Sequence, residues 1–206
     1  MPADRPIYIV DDDEAVRDSL SALLDARGYT VHAFASAPEF LALAPTLRLG
    51  CLIVDIRMPE MDGLELQQRL VERGLRFPLI VITGHGDVPL AVRAMKAGAI
   101  DFIEKPFAVE TIIGSAEAAL GGLGEPHDED PLATKAATRL ALLTPREREV
   151  LQGLLSGLPN KTIGYDLGIS RRTVEIHRAR IMDKMEARSL SELIRMSLAA
   201  GLQPSA

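Results

Sequence analysis

The sequence predicts an α/β fold, a doubly wound parallel sheet of five strands and five helices, followed by a smaller all-α domain of four helices. Two observations carry that prediction. Short apolar, β-prone runs alternate with helical stretches up to about residue 120, and from Leu142 onward every periodic stretch is helical. The strand candidates are Ile7–Val10, Val31–Phe34, Leu52–Val54, Leu79–Ile82 and Phe102–Ile103. The central ones are nearly all apolar, as strands covered on both faces of a parallel sheet must be. Between the first two, Val16, Leu20, Leu23 and Leu24 recur at helical spacing and Gly28 supplies the stop. A helix from Val88 to Ala97 closes at Gly98, and one from Val109 to Leu120 closes at Gly121.

Glycines, prolines and four acids break the alternation after Gly121, which predicts an α/β domain over residues 1–122, a linker over 123–138 and the helical domain over 139–206. The stretch 132–140 also fits a helix. In the last part, Thr144-Pro-Arg-Glu147 is a capping box with proline at the first helical position, and Ser189-Leu-Ser-Glu192 has the same form. Asn160 and Ser170 are N-cap candidates for two further helices. The turn Leu167-Gly-Ile-Ser170 between them is of the kind that joins a helix-turn-helix pair.

Composition excludes several classes. Of 206 residues, 47% are hydrophobic and 25% charged, the balance of a globular protein and not of a disordered one. A lone Cys51 excludes an internal disulfide and thiol-rich zinc clusters, and suits a reducing compartment. No apolar run approaches the roughly 18 residues of a membrane span, and no apolar targeting core precedes Asp11, so the expected location is the cytoplasm with no membrane partner. The net charge of −6 is unevenly spread. Residues 1–124 hold 11 basic and 18 acidic side chains, net −7, whereas residues 139–206 hold 11 and 7, net +4. Only the C-terminal part is suited to face a polyanion.

In a sheet of this kind, polar sites gather at the carboxyl ends of the strands. Asp11 and Asp12 follow the first strand candidate and Asp55 follows the third. Three converging carboxylates repel one another and need a cation. Mg²⁺ suits them, because it takes oxygen ligands and keeps several waters when few carboxylates bind it. Lys105, after the fifth strand, adds a fixed positive charge, and Thr83, ending the fourth, adds a hydroxyl donor.

Val10-Asp-Asp-Asp13, Val54-Asp-Ile-Arg-Met-Pro59, Asp62-Gly63, Ile82-Thr-Gly-His-Gly86 and Glu104-Lys-Pro-Phe107 together resemble the receiver domain of bacterial two-component response regulators, a flavodoxin-like fold, over residues 5–120. The resemblance implies that Asp55 is the phosphoacceptor, with a sensor histidine kinase as donor. It also implies that Asp11, Asp12, Asp55 and the Arg57 carbonyl hold Mg²⁺, and that Thr83 and Lys105 contact the phosphoryl group. Phe102 stands where receivers carry a switch aromatic, more often Tyr, that turns inward once the threonine has moved. The helix 88–97, the fifth strand and the helix 109–120 would form the responsive face and a dimer contact. Asp13 and Glu14 fall outside the metal assignment, Asp62-Gly63 reads as a capped turn, and His85 lies where receivers tune loss of the phosphoryl group.

Lys161, Arg171, Arg172, Arg178, Arg180, Lys184 and Arg188 lie on the two helices flanking Gly168. Val174, Ile181 and Met185 fall at i, i+7 and i+11 and should pack inward, leaving Arg171, Glu175, Arg178 and Lys184 toward solvent or DNA. Leu143-Thr-Pro-Arg-Glu-Arg-Glu149, Gly157-Leu-Pro-Asn-Lys-Thr-Ile163, Leu167-Gly-Ile-Ser-Arg-Arg-Thr-Val174 and His177-Arg178 resemble the LuxR-type helix-turn-helix domain over residues 140–202. The wording of both domains is similar to FixJ-type regulators. That likeness makes Lys161, Arg171, Thr173, His177, Arg178 and Lys184 candidates for contact with double-stranded promoter DNA, with Val174 meeting a thymine methyl. The last helix, from Ser189, would pair two domains, while its Leu193, Ile194 and Leu198 equally suit an internal core.

The function these features predict is a non-enzymatic, phosphorylation-dependent transcription regulator, an activator that dimerises when phosphorylated, with RNA polymerase as a further partner. By resemblance its targets are oxygen-responsive or nitrogen-fixation genes. Two alternatives differ in class. One is an Mg²⁺-dependent aspartate-nucleophile phosphatase, which would place a second Asp where this chain has Arg57. The other is a DNA-binding regulator that works without phosphorylation.

Overall fold

The computed structural model describes residues 5–84, 87–122 and 131–202. The predicted linker's first part, residues 123–130, and His85 lie outside the described residues. By its contacts the chain divides into two units, residues 1–86 with 97–125, and residues 87–96 with 126–206.

The first unit contains β1 (Ile7–Val10), α1 (Glu14–Asp25), β2 (Val31–Phe34), α2 (Ala37–Leu43), β3 (Cys51–Asp55), α3 (Gly63–Glu72), β4 (Leu79–Thr83), β5 (Asp101–Glu104) and α5 (Val109–Gly121). All four strand pairings are parallel and the order is β2-β1-β3-β4-β5. The order reverses between β1 and β3, which leaves a crevice at their carboxyl ends. Successive residues along each strand point to opposite faces. Ile7, Ile9, Cys51, Ile53, Ile80 and Ile82 therefore form one core with Leu20 and Leu24 of α1 and Ile112, Ala116 and Ala119 of α5. Tyr8 points the other way into a ring cluster with Phe34, Phe40 and Phe77, and its hydroxyl donates to the Arg48 carbonyl at 2.7 Å. Burial raises the Tyr8 pKa, and it pushes the Cys51 thiol up to about 12, so both stay protonated.

The second unit gathers α4 (Val88–Lys96) with α6 (Pro131–Leu140), α7 (Pro145–Leu155), α8 (Asn160–Asp166), α9 (Arg171–Met185) and α10 (Leu190–Ala199). The predicted linker boundary shifts here. Residues 131–140 are helical, Ala136 and Leu140 of α6 are buried, and α6 packs on α9 and α10, so the helical domain begins before residue 139. A proline opens α6, and its alanines favour helix once an apolar face has a partner. The Thr144 capping box is formed in full, and Ser170 and Ser189 cap α9 and α10. Asn160 differs from its expected role. Pro159 holds the cap position and Asn160 is the first helical residue, which frees its amide to reach another helix. Gly168, at φ +65°, makes the turn between α8 and α9 in a conformation open to glycine.

Candidate functional site

Chain direction brings three elements of the first unit to one point. Asp11 is the first residue beyond β1, Asp55 the last of β3 and Lys105 the first beyond β5. Lys105 Nζ donates to Asp11 Oδ2 at 2.7 Å and to Asp55 Oδ1 at 2.8 Å. The remaining oxygens are also occupied. Asp13 N donates to Asp11 Oδ1 at 3.0 Å, and Arg57 N donates to Asp55 Oδ2 at 2.6 Å. Asp11 is 1% exposed and Asp55 6%. Burial raises the Asp55 pKa against the pull of Lys105, and the Asp11 charge adds to the rise. For Lys105, burial acts downward, but its hydrogen bonds to the two carboxylates carry its pKa above the ordinary lysine value.

Thr83 ends β4, is fully buried, and its carbonyl accepts from Lys105 N at 2.7 Å. Gly63 opens α3 where a Cβ would stand 2.5 Å from the Asp55 carbonyl oxygen, so only glycine lets this helix start so close to the site. Asp62 caps α3 through Glu65 N at 2.7 Å. Asp12 and Arg57 are exposed, and Phe102 on β5 is partly buried.

Two buried carboxylates whose oxygens converge on one ammonium fit a hard divalent cation that keeps part of its water shell. Asp12 is not drawn in with them. Among the described residues, no three His, Cys, Asp or Glu side chains gather as a preformed metal cage.

In the second unit, α9 buries Val174, Ile181 and Met185. This agrees with the inward packing read from their spacing and corrects the thymine contact expected of Val174, which at 0% exposed lies on the buried stripe of α9. The large apolar residue of α9 that does face outward is Ile176, 47% exposed, with Arg172, Ala179 and Arg180 also exposed. The spacing i, i+4, i+8 from Arg172, opposite the buried stripe, could have found it. Lys161 and Arg171 are exposed, and Arg171 Nε donates to Glu175 Oε1 at 3.0 Å. Thr173 is engaged in the cap, its hydroxyl 2.8 Å from Ser170 Oγ. His177 is partly buried, with Nδ1 lacking a hydrogen-bond partner among the described residues.

The two remaining candidates turn inward. Arg178 donates to Asn160 Oδ1 at 2.9 Å, tying α9 to the start of α8, and burial lowers its pKa. Lys184 donates to Glu147 Oε2 at 2.7 Å and to the Leu142 carbonyl at 3.1 Å.

A parallel sheet with an Asp–Asp–Lys cluster at its carboxyl edge, joined in one chain to a helix-turn-helix, defines a class, the phosphoacceptor regulators that bind DNA. Residues 7–117 match the response regulator receiver domain and residues 141–197 the bacterial regulatory proteins of the luxR family. The chain belongs to the response regulators that join a receiver domain to a LuxR-type DNA-binding domain, and it is FixJ-like over its whole length. It is 50% identical to the transcriptional regulatory protein FixJ of Azorhizobium caulinodans over 100% of this chain and 97% of that one. With the Rhizobium meliloti FixJ the identity is 52%, covering 98% and 99%. Full-length FixJ from B. japonicum is similar in structure, with 47% identity, a TM-score of 0.58 and coverage of 97% and 98%. Among the described residues, no helix is long and apolar enough to cross a membrane.

Proposed function

We propose that Asp55 accepts a phosphoryl group from a phosphohistidine of a sensor kinase, and that the modified chain dimerises and binds promoter DNA through α9. One Asp55 carboxylate oxygen attacks phosphorus; the P–O bond forms as the P–N bond to the donor imidazole breaks. Little covalent chemistry is asked of the protein, so placement and charge neutralisation do the work. Asp11, Asp12, Asp55 and the Arg57 carbonyl would hold Mg²⁺, Asp12 having to turn in from its exposed position. Bound there, it would neutralise charge on the phosphoryl oxygens. Lys105 passes its hydrogen bond from Asp55 Oδ1 to a phosphoryl oxygen, and the Thr83 hydroxyl donates to another. Phe102 then turns inward and remakes the responsive face.

The observation that supports this reading most is the Lys105 ammonium held by both buried carboxylates. That arrangement supports the reading, because it puts a nucleophilic carboxylate, a second acid able to share a cation and a fixed ammonium at one point. Arg57 stands where a phosphatase would need a second carboxylate, so we read the chain as a regulator and not as an enzyme that turns over phosphoesters. The proposal extends to a cytoplasmic activator that engages RNA polymerase. Its likeness to FixJ-type regulators points to oxygen-responsive or nitrogen-fixation genes.

The test is intact-mass measurement with acetyl phosphate and MgCl₂, followed by sedimentation and DNA binding. The wild-type chain should gain one phosphoryl group and then self-associate and bind more tightly. Asp55→Asn should do none of these. Phosphodonor-dependent dimerisation in Asp55→Asn would refute the proposal.

A further inference from the structure

The basic residues of α9 divide into those that face outward and those that the domain uses internally, and Lys184 is of the second kind. Its ammonium has three donors. One reaches Glu147 Oε2 at 2.7 Å and another the Leu142 carbonyl at 3.1 Å. Glu147 is only 2% exposed, and the same Oε2 accepts from Thr144 N at 2.8 Å in the capping box of α7. The next two residues of α9 are held as well. Arg139 of α6 donates to the Met185 carbonyl at 3.1 Å and to the Glu186 carboxylate. Glu186 closes α9 in the left-handed conformation at φ +49°, a position that usually falls to glycine.

We infer that the last turn of α9 is a clamp, in which Lys184 acts on DNA binding as a positioning residue through Glu147 and not as a phosphate contact. The inference rests on the reading of α9 as the groove helix. Three consecutive residues, Lys184 to Glu186, are fixed by Arg139 of α6, by the Leu142 carbonyl and by Glu147 of α7. The direction in which α9 leaves the domain is thereby set from its C-terminal end. Its exposed N-terminal half, with Arg171, Arg172 and Ile176, is left to meet the duplex. Were Lys184 to swing to a phosphate, a buried carboxylate would lose its cation, which is the costly way to break such a pair. The clamp also gives α6 a task. Its Arg139 closes the carbonyl end of α9 and holds the carboxylate of a strained cap residue in place.

The experiment measures affinity against salt concentration for the full-length, acetyl-phosphate-treated protein. The probe is a duplex that the wild-type protein selects from a randomised pool, and all readings are taken well below each variant's melting temperature. Lys184→Met and Glu147→Gln should each weaken binding several-fold, and the double variant should bind no worse than either. Lys184→Met should leave the slope of log affinity against log salt unchanged, since no phosphate contact is lost. Lys184→Arg should restore most of the affinity, and it supplies the answer if the methionine variant does not fold. A slope reduced by about one unit, with additive losses in the double variant, would make Lys184 a phosphate contact and overturn the inference. Unchanged affinity in Lys184→Met, with only a lower melting temperature, would overturn it too by leaving a purely structural role. Arg172→Ala separates the two levels. If that variant keeps wild-type affinity and slope, the groove reading of α9 fails and the clamp fails with it, whereas a slope change at Lys184 alone removes only the clamp.

Discussion

At the scale of single residues, Asp55 combines burial with two hydrogen bonds and a neighbouring acid, and the balance raises its pKa. A raised acid favours the folded state in its neutral form. Its contribution to stability is therefore full below the ordinary value of 3.8 and is lost as pH rises through the folded value. Asp55→Asn, neutral at every pH, should melt higher than wild type at neutral pH, and the gain should vanish below pH 3.8. Thermal midpoints from pH 3 to 7 check this; a variant that melts lower throughout would show that the Lys105 contact outweighs burial. Val174 and Ile176 form a second contrast, two residues apart on α9. Val174→Ala should cost about 2 kcal/mol of stability, as a buried truncation does. Ile176→Ala should change stability by less than about 0.5 kcal/mol. It should nonetheless relax DNA sequence preference at one position, by about 1–3 kcal/mol if Ile176 meets a thymine methyl. Urea melts and binding to single-base variants of the selected duplex separate the two effects.

At the scale of elements, local signals are strongest where a helix begins. The Thr144 hydroxyl accepts from Glu147 N at 3.3 Å, and Glu147 Oε2 accepts from Thr144 N. Thr144→Ala should cost about 1 kcal/mol. The loss exceeds that of Ser189→Ala if the cap also steadies the carboxylate that Lys184 uses, and denaturant melts of both variants decide it. The helix starts at Thr144, Ser170 and Ser189 are legible in the sequence because each cap needs only its own next three residues. The start of α8 is less so. Proline and asparagine adjoin there, and the contact from Arg178 18 residues away gives Asn160 a different use.

For the whole molecule, the linker boundary decides what folds alone. Residues 131–140 carry Ala136 and Leu140 into the core of the second unit and supply Arg139 to α9. A fragment of residues 131–206 should therefore be more stable to denaturant than one of residues 141–206, by about 2–5 kcal/mol for the buried leucine alone. Equal stabilities would return α6 to the linker. The charge division belongs to this scale as well. With a region of net −7 and one of net +4 in one chain, DNA affinity should depend steeply on salt, and on the added negative charge if Asp55 is phosphorylated as proposed. If phosphorylation of Asp55 acts as proposed, carrying the protein from 1:99 to 99:1 between resting and active states requires the phosphoryl group to favour the active one by about 5.5 kcal/mol.

The five strands, their parallel direction and the meeting of Asp11, Asp55 and Lys105 were legible in the sequence, whereas the order β2-β1-β3-β4-β5 came from the structure. An apolar run between polar ends states its own register, and the direction of a parallel sheet sends every strand's last residue to the same edge. The inward turn of Val174 was legible too, from its spacing with Ile181 and Met185, whereas the exposure of Asp12 and the employment of Arg178 and Lys184 were decided only by tertiary structure. Helical spacing places a basic residue on a face, but whether that face meets water or a neighbouring helix depends on partners that packing brings from far along the chain. Glu147 becomes the partner of Lys184 across 37 residues and Arg139 that of Glu186 across 47.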